Sequence, residues 1–169
     1  MSEIINRVAQ SSLVSLNLEE FYPKEERVLF DLQDFLFQGL VLREKDFRQS
    51  LKEYDWEKYR GKWVAIYCSV DAIIPTWAYM LVATYLQPVV LGFVVGDLES
   101  LEQLIVDRVV DSLEQENFKD RPVVVKGCSS VEIPFYAYGK LVEKLQPVVK
   151  SLMFGEPCST VPLFKKPKN

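Results

Sequence analysis

Three cysteines are the most reactive side chains of this sequence, and each is followed directly by a serine, in "CSVD", "CSSV" and "CSTV". A thiolate binds soft metals or attacks electrophiles, and the unpaired N–H groups of a helix N-terminus stabilise it. A serine hydroxyl beside it donates hydrogen bonds to sulfur. The sequence therefore predicts a site of thiols and hydroxyls at Cys68, Ser69, Cys128, Ser129, Cys158 and Ser159.

The chain contains no histidine, which restricts the chemistry of such a site. Ser-His-Asp and Cys-His catalytic systems and histidine metal ligands are excluded. Three thiolates suit Zn, Cu(I) or an iron–sulfur cluster, with the fourth coordination position open or filled by Asp71 or Glu156. Gly127, directly before Cys128, allows a ligand to approach the backbone closely.

Two other interpretations of the cysteines stay open. One is an enzyme that uses a single activated thiol, Cys68 or Cys128, next to a helix N-terminus. The other is a non-catalytic binding or assembly module, in which the cysteines are apolar core residues and the N-terminal lobe is the working surface. None of the cysteines has the C-x-x-C spacing typical of metal sites.

The elements that position the cysteines come from an internal repeat. Residues 74–97, "IPTWAYMLVATYLQPVVLGFVVGD", match residues 133–156, "IPFYAYGKLVEKLQPVVKSLMFGE", in register. Each copy reads as strand, loop, helix, strand, because apolar runs flank a segment bounded by prolines. We predict strands at 62–68, 91–96, 122–128 and 151–155, and helices at 75–86 and 134–145.

An amphipathic helix over 97–115, with Asp97 as its N-cap, joins the two copies. Alternating strands and helices favour an α/β fold with a four-stranded, mostly parallel sheet. A pseudo-twofold arrangement favours the strand order 2-1-3-4. Cys68 and Cys128 would then flank the switch point at the carboxyl edge, with Cys158 in the loop after the last strand.

The first part of the chain is predicted to form a separate lobe. Residues 13–18 and 27–32 alternate like the strands of a hairpin, and residues 43–54 form an amphipathic helix. We therefore expect an N-terminal lobe over 1–61, a duplicated core over 62–160 and a basic tail over 161–169, together forming one compact domain. The lobe is expected to cover the uncharged helix of the first copy.

Composition narrows the location and the partners. A net charge of −4 disfavours nucleic acid. No secretory signal is visible, which predicts a cytoplasmic protein. The uncharged stretch 72–96 could imitate a membrane span, but its copy carries charges, so we expect no membrane association. The sequence leaves the oligomeric state open, and a homodimer is compatible with it.

The segments "CSVDAIIPTWAYM", "KGCS" and "QPVVKSLMFGEPCSTVPL", together with "NLEEFYP" and "DFLFQGLVLREKDFR", resemble the bacterial family DUF2480, a domain of unknown function. The resemblance covers nearly the whole chain and implies no catalytic residue. It also implies a genomic association with iron–sulfur assembly genes. That association favours iron–sulfur assembly proteins as partners and the three cysteines as ligands.

Overall fold

The computed structural model describes residues 12–127 and 130–167, which form two compact units. One unit is continuous and spans Lys24–Leu104, and we call it the continuous unit. The other combines the chain up to Pro23 with the chain from Ile105 onward, and we call it the split unit. The continuous unit is thus inserted, in chain order, between the two parts of the split unit.

The described residues contain strands, α-helices and four short 3₁₀ helices. The strands are β1 (Val14–Leu16), β2 (Arg27–Asp31), β3 (Trp63–Tyr67), β4 (Gly92–Val95), β5 (Pro122–Val125), β6 (Ser151–Glu156) and β7 (Ser159–Lys165). The α-helices are α1 (Glu44–Glu53), α2 (Thr76–Leu86), α3 (Leu98–Ser112) and α4 (Phe135–Leu145). The 3₁₀ helices are Leu18–Glu20, Leu32–Phe35, Glu57–Tyr59 and Gln115–Asn117.

The continuous unit is a three-stranded parallel sheet in the order β2-β3-β4, with α1 and α2 packed on it. Both helices bury apolar side chains at helical spacing into one cluster with Phe30, Val64 and Ile66 of the sheet. Pro75, with φ −63°, precedes α2 as its N-cap, where the missing N–H of proline is harmless. The helix ends at Leu86, and its C-cap residue Gln87 directly precedes Pro88.

The split unit is a four-stranded, mostly parallel sheet in the order β1-β5-β6-β7. Strands β1, β5 and β6 run parallel, and β7 returns antiparallel to β6. Helix α4 buries Ala137, Leu141 and Leu145, which are spaced like the buried Ala78, Val82 and Leu86 of α2. The fold is therefore mixed α/β with four α-helices in the described residues, and the predicted fold class is confirmed.

The duplication is larger than the repeat visible in the sequence. At a spacing of fifty-nine residues, β3, α2 and β4 correspond to β5, α4 and β6 in the same sheet register. Gly61 donates its N–H to the carbonyl of Val89, and Asp120 makes the same bond to Val148. Both residues have positive φ, 69° and 54°. The backbone of the two βαβ units is thus the same, down to its turns.

The N-terminal strands complete this duplication. β2 pairs with β3 as β1 pairs with β5, with Leu29 opposite Ala65 and Ser15 opposite Val124. Each strand is followed by a 3₁₀ helix that buries a leucine, Leu32 or Leu18. One unit therefore reads strand, helix, strand, helix, strand, with α1 and the second half of α3 at equivalent positions.

The predicted strand order 2-1-3-4 needs correction, because β3 and β5 lie in different sheets. A strand has two hydrogen-bonding edges. Those of β3 are occupied by β2 and β4, and those of β5 by β1 and β6. No switch point between the two copies therefore exists in these sheets.

The predicted N-terminal hairpin is also wrong, since β1 and β2 pair with different sheets and not with each other. The predicted helix over 43–54 is confirmed as α1. In the segment expected to be a tail, residues 161–165 belong to β7. Among the described helices, none combines the length and the apolar character needed to cross a bilayer.

Candidate functional site

Cys68 lies directly after β3, at the carboxyl end of the parallel sheet of the continuous unit. Its side chain is half-buried, and its thiol donates to the carbonyl of Val70 at 3.4 Å. Burial raises the pKa of the neighbouring Tyr79, and the Cys68 sulfur raises it further. Cys68 therefore lies at the end of the first strand of its repeat, as predicted, at the start of the loop that leads into α2.

Ser69 fastens this loop to the neighbouring strand. Its N–H donates to Oδ1 of Asp31 at 3.0 Å, and the N–H of Gln33 donates to the same oxygen at 2.9 Å. The Ser69 hydroxyl also bonds the Gln33 side-chain oxygen. We call this arrangement of Asp31, Gln33 and Ser69 the loop clasp.

The loop clasp shifts the ionisation of its carboxylate. Burial by itself raises the pKa of Asp31, but the bonds from Ser69, the Gln33 N–H and Tyr67 together outweigh it. The pKa of Asp31 consequently lies below its ordinary value. The ionised carboxylate is the form that the fold selects.

A related clasp occurs in the split unit. The Asn17 side chain caps a 3₁₀ helix by accepting from the Glu19 N–H at 3.2 Å, as Asp31 does for Gln33. Glu19 in turn accepts from the N–H of Ser130 at 3.1 Å and from its hydroxyl. In both units a side chain near the start of the 3₁₀ helix thus accepts from a serine of the strand-end loop, which indicates a role in holding these loops.

Cys158 occupies a different structural setting from the one predicted. It lies in the two-residue turn between β6 and β7, where Glu156 pairs with Ser159, and its side chain is exposed. The turn requires Gly155, with φ 122°, because a Cβ there would lie 2.6 Å from the Ser159 carbonyl oxygen. The loop predicted to follow the last strand is thus a hairpin turn.

The predicted metal site is not assembled from the described residues. Cys68, Ser69 and Asp71 belong to the continuous unit, whereas Cys158 and Ser159 belong to the split unit. Cys128 and Ser129 lie outside the described residues. In residues 12–127 and 130–167, no group of three or more Cys, Asp or Glu side chains is arranged to hold a metal ion.

The pairing of Cys68 with Cys128 as symmetric residues also needs correction. At the spacing of fifty-nine residues that both sheets obey, Cys68 corresponds to Gly127, and Ser69 corresponds to Cys128. The interpretation of the cysteines as apolar core residues does not fit Cys158, which is exposed, whereas Cys68 is partly buried and packs against the core cluster of the continuous unit.

Gly127 serves internal packing. A Cβ at this position would lie 2.4 Å from Cζ of Phe154, so the glycine makes room for an aromatic ring. The ring of Phe154 also meets Tyr138 edge-on, with centroids 5.8 Å apart. The close backbone approach that the sequence predicted is therefore made by a side chain of β6.

An exposed apolar surface that was not predicted from the sequence lies in the loops that follow β2 and β3 in the continuous unit. Ile73 is 88% exposed and Leu40 is 63% exposed, and Phe37 and Val41 are also exposed. Val41 forms a β-bridge with Ile73, and the Phe37 N–H donates to the Val41 carbonyl at 2.7 Å. We call these four residues the apolar loop surface. The uncharged run "FLFQGLVL" (35–42) was its signal in the sequence.

Replacing Gly127 with alanine should destabilise the protein by about 1–3 kcal/mol, because the new methyl group collides with the Phe154 ring. Gly139→Ala is the matched control. Gly139 lies inside α4 with open space around it, so alanine there should stabilise by about 0.4–1 kcal/mol. Urea unfolding measures both values, and equal effects of the two substitutions would contradict the packing role of Gly127.

Asp31→Ala should lower the free energy of unfolding at pH 7 by about 1 kcal/mol, because the 3₁₀ helix loses its cap and the loop loses its acceptor. The folded-state pKa of Asp31 is lowered, so its carboxylate stabilises the fold above the unfolded-state pKa, and this contribution disappears as pH falls through the folded-state value. The difference between wild type and variant should hold from pH 7 to about 5 and shrink below about pH 4.

Asp34→Ala serves as the control, because it removes the same charge from an exposed carboxylate that directly follows Gln33 and lies outside the loop clasp. Its effect on unfolding should be small at every pH. A pH-independent difference for Asp31→Ala would show that the carboxylate charge does not contribute.

Comparison with known proteins identifies a family but no described relative. No curated protein and no solved structure matched this chain. A family model described as "Protein of unknown function (DUF2480)" matches residues 2–166, which is nearly the full sequence. The chain therefore belongs to the DUF2480 family, a domain of unknown function.

Proposed function

We propose that this protein is a non-catalytic binding module that docks a protein partner on the apolar loop surface. The single observation that carries the proposal is the exposure of Leu40 and Ile73, at 63% and 88%, in a cluster tied together by backbone bonds. Contiguous exposed apolar side chains mark interaction sites, because their burial against a partner is favourable.

The polar groups at the same end of the sheet support a binding role over a catalytic one. Asp31 and Ser69 bond each other in the loop clasp, and the Cys68 thiol bonds the Val70 carbonyl. Asp97 caps α3 by accepting from the N–H of Ser100 at 2.8 Å. These groups position loops, and the apolar side chains face solvent.

The apolar loop surface is also held in a defined shape. Gln38 and Gly39 both have positive φ, 53° and 69°, and form the turn between Phe37 and Leu40. The guanidinium of Arg43 lies 3.1 Å from the Phe37 ring centroid, which is a cation–π arrangement. A preorganised surface loses less conformational entropy on binding.

Photo-crosslinking from position 40 in cells tests this proposal. A single partner should crosslink there, and it should co-purify with wild type but not with Leu40→Glu, because a carboxylate cannot be buried in an apolar contact. Met80→Glu is the matched control: Met80 lies in the same unit, is 65% exposed and lies outside the surface. Equal loss of the partner in both variants, or in neither, would refute the assignment of the surface.

Soft-metal handling is the second candidate, and the exposure of Cys158 favours it. In this version Cys68, Cys128 and Cys158 bind Zn or an iron–sulfur cluster, and the partners are iron–sulfur assembly proteins. The observation is independent of the apolar loop surface, so the two candidates can be tested separately.

Elemental analysis and a visible spectrum of protein purified without oxygen and without a metal-binding tag test the metal candidate. Stoichiometric Zn or Fe in wild type, lost in Cys128→Ser, is the result expected if the thiols are ligands. Ser130→Ala, which leaves all three thiols intact, is the control. Metal-free protein that also fails reconstitution would remove this candidate.

A further inference from the structure

β7 has no counterpart in the continuous unit, and the described residues of the split unit leave part of this strand exposed. The continuous unit has α1 and α2 over three strands. The split unit has α4 and the second half of α3 in the equivalent positions, joined by a bond from Lys144 Nζ to the Asp111 carbonyl, but its sheet has four strands. Both units thus have two helical elements in this layer, but the sheet of the split unit is one strand wider.

The uncovered part is apolar. Val161 is 59% exposed and Leu163 is 54% exposed, and Val161 pairs with the exposed Phe154 across the strands, so these two share one face. Leu163, Phe154 and Val142 of α4 line a cavity of about 50 Å³, whose other walls are also apolar. This places the exposed side chains beside α4.

A wider recess continues along the same helix. It measures about 400 Å³ and shares Val142 with the cavity. Val142, Pro147 and Phe164 are its apolar lining residues, and Glu143, Gln146 and Lys166 are its polar ones. We call the cavity, the recess and the exposed face of β7 together the α4–β7 groove.

A helix fits this groove better than an added strand. Pro162 has no N–H to donate, and the β6–β7 ladder shifts register between Leu152 and Met153, features that disfavour pairing at an edge strand. The exposed apolar side chains lie on the face of the sheet, which an α-helix covers with a stripe of apolar residues. The axis of a helix packed beside α4 would lie at the usual distance of about 8–10 Å from the axis of α4.

Charge specifies the occupant further. The end of β7 is basic, since Lys165 is followed by Lys166, whose N–H donates to the carbonyl of Lys150. On the α4 side, Lys140 Nζ lies 3.0 Å from Glu143 and 3.7 Å from Asp107. Lys166 lines the recess and pairs with Asp120 at 3.1 Å, and the exposed Lys150 and Lys165 lie next to it, just before β6 and at the end of β7.

We propose that the α4–β7 groove binds an amphipathic α-helix of a partner protein, with acidic side chains at the end of the helix that meets these lysines. The partner packs its apolar residues, at spacings of three and four, on Leu163, Val161 and Val142. This site lies in the split unit and does not depend on the apolar loop surface of the continuous unit.

Two designed helical peptides of about five turns, used as fluorescent probes, test the proposal on the full chain. They share one apolar stripe, and their flanking residues at one end are glutamates in one peptide and lysines in the other. By fluorescence anisotropy the acidic peptide should bind roughly tenfold more tightly. Leu163→Glu should weaken its binding at least about tenfold, since a charge would be buried in the apolar contact.

Leu40→Glu is the control, because Leu40 is similarly exposed but lies in the other unit. It should leave peptide binding unchanged. Val161→Glu provides a second variant on an exposed position, and circular dichroism checks that every variant is folded. The double substitution Lys165→Glu and Lys166→Glu should reverse the preference between the two peptides.

Three outcomes would overturn the proposal. The first is equal binding of the acidic and basic peptides, and the second is unchanged binding in both Leu163→Glu and Val161→Glu. The third is a wild-type dimer, seen by sedimentation, that Leu163→Glu converts to monomers, because the groove would then be occupied by a second copy of the chain. Loss of peptide binding in Leu40→Glu would place the peptide on the other surface and refute the groove.

Discussion

The architecture depends on the pairing of two strands, β3 and β5, each with a distant N-terminal strand. A parallel strand has two edges, and β2 and β4 occupy those of β3, while β1 and β6 occupy those of β5. This saturation separates the two repeats into different sheets. It also explains why one unit is inserted into the other along the chain. The whole continuous unit lies between β1 and its pairing partner β5.

The two units share a backbone, so differences between them reveal what is not required by folding. The equivalent pairs Ala78 and Ala137, Val82 and Leu141, and Leu86 and Leu145 are all buried. Exposed positions have diverged: Ile73 corresponds to Glu132, and Met80 corresponds to Gly139. The apolar loop surface belongs to one unit and β7 to the other, which is the distribution expected if each unit acquired its own binding surface on a common frame.

The polar groups of the strand-end loops are engaged in bonds within each unit. In many parallel α/β sheets this edge carries the ligand site. Here the carboxylates and hydroxyls at the edge bond each other, as Asp31 does with Ser69 and Glu19 with Ser130. These bonds fix the loops, and the side chains left facing solvent on the continuous unit include Leu40 and Ile73. At these residues the edge is therefore apolar.

Much of the secondary structure could be predicted from the sequence, because periodicity and proline positions are local signals. Helices α1, α2 and α4 and the strands that flank α2 and α4 appear within one residue of the predicted limits, except that β5 ends at Val125, three residues before its predicted end. The candidate site could be predicted only in part. Cys68 does follow β3 as predicted. Cys158 lies in a hairpin turn, which the sequence did not predict because the segment that forms most of β7 was assigned to a tail. The equivalence of β1 and β2 was also missed, since β1 has only three residues and offers too short a pattern.

The sequence by itself determined the elements, the internal repeat and the absence of histidine chemistry, because these depend on residue types and on spacing along the chain. Only the tertiary structure decided which strands are neighbours. It places β3 and β5 in different sheets, so the predicted switch point between them does not form. It also decided that Gly127 receives the Phe154 ring and that Val41 meets Ile73. Such contacts join residues far apart in the chain, and no local pattern encodes which partner fills each free edge or space.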